Sequence, residues 1–182
     1  MKNIFRLLIV LFLIYYTQDS KAQNIERLRI NNGFRTIKLG TDVHLYPEFI
    51  KKNSSNSKYF GFLLEDYHYI FNHKNNRKFD KIGNAKIFRI LVKTYQNKIF
   101  KIDITLEKNR ETSELLKLAF GKPTYNIKNN LTWKTNNNIE CLFQEDLKTF
   151  DHAYITYTNQ ELEKLYNKEK ADKKKKKAIS EF

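Results

Sequence analysis

Two adjacent segments near the middle of the chain constrain its fold most strongly. Residues 86–94 are apolar and rich in β-branched side chains, and Gln96-Asn97 supplies a turn directly after them. From Ile99 to Glu107, apolar side chains alternate with polar ones: Phe100, Ile102, Ile104 and Leu106 against Lys101, Asp103, Thr105 and Glu107. A period of two puts alternate side chains on opposite faces of a strand. The two segments therefore predict an antiparallel hairpin with one buried face and one wet face.

The sequence after this hairpin predicts a helix, further strands and a second helix. Asn109 can cap a helix that Gly121 ends, and Pro123 prevents its continuation. A second hairpin joins 131–134 to 139–144, and a strand follows over 152–158. Thr158 and Glu161 have the spacing of a capping box, so the last helix is expected to begin there. We expect this helix to fray where five lysines stand in a row, at Lys173, Lys174, Lys175, Lys176 and Lys177.

The N-terminal half of the chain predicts shorter strands. Aromatic or alternating segments at 34–39, 59–64, 67–71 and 79–82 have strand character. The whole order predicts an α+β fold, with an antiparallel sheet of about six to eight strands and two helices on one face, at about 109–120 and 159–172. A hairpin–helix unit is expected to occur twice, at roughly 86–120 and 131–167.

The first 22 residues predict a cleavable export signal. Lys2 and Arg6 form a positive N-terminal region, and the apolar run from Leu7 to Tyr16 follows without a charge. That run is about half the length that a membrane-spanning helix needs. Ser20 and Ala22 suit a signal-peptidase site, which makes cleavage after Ala22 the prediction and an uncleaved anchor the alternative. The mature protein is then expected to be periplasmic or extracellular, with one domain over 23–167 and a lysine-rich tail over 168–182.

Charge and cysteine content limit which classes of protein and of binding partner remain possible. The formal net charge is +14 and the single cysteine is Cys141, so an intrachain disulfide scaffold is excluded. Cys141 follows the apolar phase of its segment and is expected to be buried. A basic protein can bind nucleic acid, anionic lipid or acidic glycans. Export disfavours nucleic acid. The lysine-rich tail is expected to be a disordered, solvated segment, with contact to anionic lipid or lipopolysaccharide as the alternative.

One segment resembles a known group of exported modules. Leu118-Ala119-Phe120-Gly121-Lys122-Pro123-Thr124, followed by Leu131-Thr132-Trp133, is similar to a helix that ends in Gly-x-Pro before a strand carrying a tryptophan. That pattern is found in outer-membrane assembly lipoproteins of the SmpA/OmlA type and in the β-lactamase-inhibitor-like fold. The resemblance implies a non-enzymatic binding or scaffold role in the envelope. The chain lacks the lipid-bearing cysteine of those lipoproteins.

The sequence contains no recognisable catalytic or metal-binding motif. The histidines are His44, His68, His73 and His152, and their spacing fits no zinc motif. There is no nucleophile elbow and no glycine-rich phosphate loop. No catalytic residue, metal ligand or cofactor is therefore assigned from the sequence.

Three functional hypotheses follow from these observations. The first is an exported, non-enzymatic module that binds a protein or envelope component through a sheet face, with Tyr67, Tyr69, Trp133 and Tyr154 as its candidate residues. For Trp133 the alternative is a core position. The second is a hydrolase of unfamiliar type, with His68 or His152 acting together with Asp103. The third is electrostatic attachment through Lys173 to Lys177.

Overall fold

A computed structural model describes residues 25–51, 69–71, 77–128, 130–145 and 151–180. Within these ranges the protein has the predicted α+β fold, with a mainly antiparallel sheet and three helices. The predicted export signal, the strand expected at 59–64, Tyr67, His68 and His73 lie outside the described residues. No helix of the described part is both long and apolar enough to cross a membrane.

The helices are α1 (residues 25–31), α2 (Arg110–Phe120) and α3 (Gln160–Ile179). The strands are β1 (Gly33–Phe34), β2 (Ile37–Lys38), β3 (Phe49–Lys51), β4 (Tyr69–Phe71), β5 (Lys81–Ile82), β6 (Ala85–Tyr95), β7 (Lys98–Glu107), β8 (Tyr125–Ile127), β9 (Asn130–Lys134), β10 (Ile139–Glu145) and β11 (His152–Asn159). Short 3₁₀ turns occupy Val43–Leu45 and Arg77–Phe79.

Nine of these strands form one antiparallel sheet. Its order is β3-β4-β6-β7-β11-β10-β9-β8, and β5 pairs with β6 beside this path. Helix α2 carries the chain from β7 at the centre to β8 at one edge, and the next three strands return step by step until β11 pairs with β7. The central strands β6, β7, β11 and β10 are therefore contributed by two hairpins that are distant in sequence.

The core covers one face of the sheet. Ile102, Ile104 and Leu106 of β7 are buried there, together with Ala153 and Ile155 of β11. From the other side the core is closed by Leu28 of α1, the small β1–β2 hairpin and α2, with buried residues that include Phe34, Ile37, Leu116 and Phe120. The alternation in β7 thus produces the buried face that the sequence predicts.

Two β-bulges interrupt the β6–β7 pairing and change which way two phenylalanines point. One bulge adds Phe88 to β6 and the other adds Phe100 to β7, since the register shifts between Ile87 and Arg89 and between Lys93 and Thr94. An extra residue reverses the alternation locally. Phe100, expected to share a face with Ile102, instead lies outside the core cluster and packs against Tyr166 of α3, with 5.0 Å between ring centroids.

Helix α2 follows the sequence prediction closely. The Asn109 side chain accepts a hydrogen bond from the backbone N–H of Glu111, which caps the helix as expected. At its other end Gly121 has φ of +78°, a conformation that favours glycine. Leu116 and Phe120 face the core, so α2 is attached to the buried side of the sheet.

Helix α3 differs from the prediction at both ends and in its packing. Its cap is Asn159, which accepts hydrogen bonds from the N–H groups of Glu161 and Leu162, so the expected Thr158–Glu161 box is displaced by one residue. The helix continues to Ile179, through the five lysines where fraying was expected. It contacts Phe100 rather than the core cluster that α2 covers. The two helices therefore do not share one packing surface, and the expected hairpin–helix repeat does not extend to how the helices pack.

The lysine run is helical for identifiable reasons. Lysine is a good helix former. Lys173 forms an ion pair with Glu169, one turn earlier, with 2.5 Å between Nζ and Oε1. Positive side chains near a helix C-terminus also interact favourably with the helix dipole. These contributions oppose the repulsion among adjacent lysines on which the fraying prediction rested.

Candidate functional site

The four aromatic residues expected to form a binding face are not brought together. Trp133 is fully buried and Tyr69 is 8% exposed, and both belong to the core. Tyr154 is half-buried on the opposite side of the sheet, because it alternates with the core residues Ala153 and Ile155. Tyr67 lies outside the described residues. The predicted aromatic face therefore needs correction: Trp133 and Tyr69 stabilise the core, and Tyr154 remains a surface residue.

Trp133 connects the sheet to the end of α2. Its indole Nε1–H donates a hydrogen bond to the backbone carbonyl of Gly121 at 2.8 Å, and its ring packs edge-on against Phe120. Burying the indole N–H is tolerated because this carbonyl accepts it. The sequence motif that links Phe120 and Gly121 to a strand tryptophan is thus explained by packing.

Cys141 is buried, as the sequence predicts. Burial raises the pKa of its thiol far above the ordinary value. The neighbouring phenol of Tyr157 is also buried, and its pKa is raised by the same cause. Since a reactive cysteine must be a thiolate and accessible, Cys141 is unsuited to act as a nucleophile.

The opposite face of the sheet carries a polar groove, which we call the outer groove. It crosses β6, β7, β11 and β10, and has a volume of about 190 Å³. Its polar lining residues include Arg89, Lys101, Asp103, Gln144, Tyr154 and Thr156. Leu91, which is 2% exposed, supplies an apolar part of the lining. The polar phase of the β7 alternation thus contributes directly to this surface.

Asp103 occupies the middle of the outer groove. Its backbone pairs with Leu91 of β6 on one side and with Thr156 of β11 on the other. The Thr156 hydroxyl donates a hydrogen bond to Asp103 Oδ1 at 2.5 Å. The second carboxylate oxygen, Oδ2, is buried and accepts no hydrogen bond within the described structure. An acceptor that is buried without a donor costs stability, which makes Oδ2 a candidate to receive a donor from a ligand.

The two described histidines, His44 and His152, do not form a catalytic site with Asp103. His152 pairs with Glu107, four positions along β11 from the Thr156 that faces Asp103. Four strand residues span about 13 Å, which is too far for two groups that must reach one reacting atom. His44 is instead part of an exposed turn, where its Nδ1 lies 2.7 Å from Asp42 Oδ1. Among the described residues, no three His, Cys, Asp or Glu side chains are placed to hold a metal ion.

A second, larger concavity lies between α3 and the tip of the β6–β7 hairpin, and we call it the α3 cleft. Its volume is about 650 Å³. Two aromatic rings and four lysines contribute to its lining: Tyr95, Tyr166, Lys170, Lys173, Lys174 and Lys177. Three of the candidate tail lysines, Lys173, Lys174 and Lys177, are therefore brought together, whereas Lys175 and Lys176 are exposed outside the cleft.

Glu169 organises the charges of the α3 cleft. Hydrogen bonding to Lys173 lowers the pKa of Glu169 and raises the pKa of Lys173. Glu169 also bonds to the Tyr95 hydroxyl of the hairpin tip, where desolvation and the nearby carboxylate raise the pKa of the phenol. The Tyr95–Glu169–Lys173 chain thus links the lysine-bearing half of α3 to the sheet.

Sequence reasoning missed the role of Tyr95, Tyr166 and Glu169 in this cleft. The sequence spaces four cleft residues so that they share one face of a helix: Tyr166, Lys170, Lys173 and Lys177. This spacing predicts a cleft only if the helix continues through the lysines. No protein-family model matches this chain, and neither a curated protein nor a solved structure shows significant similarity to it.

Proposed function

We propose that this protein is an exported, non-enzymatic module that binds a polar envelope component in the outer groove. The single observation that supports the proposal best is the place of Asp103 in the lining of the outer groove, where its buried Oδ2 atom has no donor among the described residues. Export is proposed from the positive, apolar and small-residue pattern of the first 22 residues. The resemblance of 118–133 to exported envelope modules is consistent with the same role.

The groove lining indicates what kind of ligand it binds. Asp103 offers an acceptor, while Lys101 offers a donor and positive charge. The side-chain amide of Gln144 can both donate and accept a hydrogen bond. The ligand is therefore a polar group with both donors and acceptors, with a hydroxyl or amine directed at Asp103. A sugar unit or a polar peptide segment meets this requirement.

The test compares capture of envelope components by three immobilised proteins. Asp103→Asn keeps an oxygen for Thr156 but removes the carboxylate, so we expect binding to weaken by about tenfold or more. Glu107→Gln is the matched control, because it makes the same chemical change on the same strand outside the groove lining. The wild type and Glu107→Gln proteins should retain the same component from envelope extract, and Asp103→Asn should not.

Two results would count against the proposal. Equal retention by Asp103→Asn and wild type would show that the groove is not the binding site. Conversion of an envelope component into a defined product by the wild type would favour the hydrolase hypothesis. Thermal unfolding of all three proteins should be measured in parallel, and Asp103→Asn should unfold close to the wild-type temperature, since the amide has the shape of the carboxylate and keeps an oxygen that accepts the Thr156 hydrogen bond.

A further inference from the structure

Four lysines of α3 form one continuous face. Lys170, Lys173, Lys174 and Lys177 have the spacing i, i+3, i+4, i+7, which places them on the same side of a helix. All four line the α3 cleft, opposite the hairpin tip. The lysine-rich end of the chain therefore presents an ordered row of ammonium groups, whereas a disordered tail would present a diffuse charge.

The helix is fixed relative to the sheet by two contacts in the turn just before Lys170, the first lysine of this face. Tyr166 packs on Phe100, and Glu169 bonds to Tyr95. A binding surface that is already ordered loses less conformational entropy when a ligand arrives. The two contacts thus preorganise the lysine face before anything binds to it.

The charge of the cleft is unbalanced. Of the described residues that line it, four are lysines and Glu169 is the acidic one. Glu169 is paired with Lys173, and among the described residues Lys174 and Lys177 have no carboxylate within ion-pair distance. A concave surface with an excess of positive charge attracts anions.

The walls of the cleft favour an anion that carries apolar atoms. Tyr95 and Tyr166 each present an aromatic ring with a polar tip, and the lysines present long methylene stems. Such side chains suit the boundary between a lipid headgroup and its acyl chains. Lys175 and Lys176, exposed outside the cleft, add attraction to a negatively charged surface around it.

We propose that the α3 cleft binds the phosphate headgroup of an anionic lipid and thereby holds the protein at a membrane surface. Lys174 and Lys177, which have no carboxylate within ion-pair distance among the described residues, bind the phosphate. Lys170 and Lys173 add positive charge along the same face, and the two tyrosines contact the glycerol region. This inference does not depend on the outer groove, because the two surfaces share no lining residue.

The experiment measures co-sedimentation of the chain from Gln23 to Phe182, which contains every described residue, with lipid vesicles. One set is phosphatidylcholine alone, and the other is an equal mixture of phosphatidylcholine and phosphatidylglycerol. We expect binding to the anionic vesicles and none to the neutral ones. Because each basic residue near such a surface contributes about fivefold in affinity, Lys174→Gln/Lys177→Gln should bind about 25-fold more weakly.

The matched control is Lys175→Gln/Lys176→Gln, which removes the same charge from the same helix turn but outside the cleft. Because these two side chains add only long-range attraction, the control should bind at most about fivefold more weakly than the wild type, clearly less than the loss expected for the cleft variant. Equal losses in the two double variants would show non-specific charge attraction and overturn the cleft as the site. Circular dichroism of each variant should show unchanged helix content, and loss of helix only in the cleft variant would assign its effect to folding and overturn the inference.

Soluble phosphate distinguishes the lipid from a free anion. Inorganic pyrophosphate is expected to displace the wild type from anionic vesicles only in large excess. Tight binding of pyrophosphate without any sedimentation on phosphatidylglycerol vesicles would overturn the lipid assignment and identify a soluble phosphorylated ligand instead.

Discussion

Replacing Trp133 by alanine is expected to lower the free energy of unfolding by about 3–5 kcal/mol. The side chain is fully buried, packs against Phe120 and donates the hydrogen bond that connects β9 to the end of α2. The substitution leaves a large cavity and also deprives the Gly121 carbonyl of its donor. Chemical denaturation followed by circular dichroism measures the change.

A conservative variant separates packing from hydrogen bonding at this position. Trp133→Phe retains an aromatic ring but removes the indole N–H, so we expect a smaller loss of about 1–3 kcal/mol. Because Trp133 is the single tryptophan of the chain, its fluorescence should also report unfolding of the wild type. A loss below about 1 kcal/mol for Trp133→Ala would contradict the central position assigned to Trp133.

Replacing Gly33 by alanine is expected to destabilise the protein by about 2–4 kcal/mol. Gly33 has φ of +153°, and a Cβ atom there would overlap the backbone carbonyl oxygen of Ile37 in the β1–β2 hairpin. Backbone atoms cannot move aside as a flexible side chain can. Separation of β1 from β2 would disturb Phe34 and Ile37, which help to close the core.

Gly40 provides the matched control for this substitution. It has φ of +81°, but a Cβ atom at Gly40 would meet nothing within 4 Å. Gly40→Ala should therefore cost only the conformational strain, about 1–2 kcal/mol. Thermal or urea unfolding of both variants gives the comparison, and equal losses would show that contact with the Ile37 carbonyl is unimportant.

The sheet was predictable from the sequence wherever alternation and turn residues agreed. The β6–β7 hairpin has Gln96 and Asn97 at its turn, both with positive φ, as a tight hairpin turn requires. The capping role of Asn109 and the termination at Gly121 also follow from local chemistry. These features depend on neighbouring residues, which is why a single sequence reveals them.

Features that depend on distant contacts were not predictable in this way. A bulge adds one residue without leaving a mark in the polar–apolar pattern, so Phe100 was expected in the core. The strand order, in which β11 pairs with β7, joins segments about fifty residues apart. Thr156 reaches Asp103 only through this pairing, so Thr156 could not be assigned to the site from the sequence.

The helical lysine run shows a different reason for failure. Repulsion among five adjacent lysines is visible in the sequence, but the contacts that oppose it involve Glu169 and the hairpin residue Tyr95. The prediction of fraying considered only the repulsion among the lysines and not the contacts that oppose it. The same contacts convert an apparent tail into one wall of a cleft.

The central claim is that the outer groove is the binding site, and amide-resolved NMR of the protein with its captured envelope component tests it most directly. We predict that shift changes concentrate around Asp103 and Thr156 and extend over the outer-groove residues of β6, β7, β10 and β11. Changes restricted to α3 or to the α1 and α2 side of the sheet, with Asp103 and Thr156 unaffected, would contradict the claim.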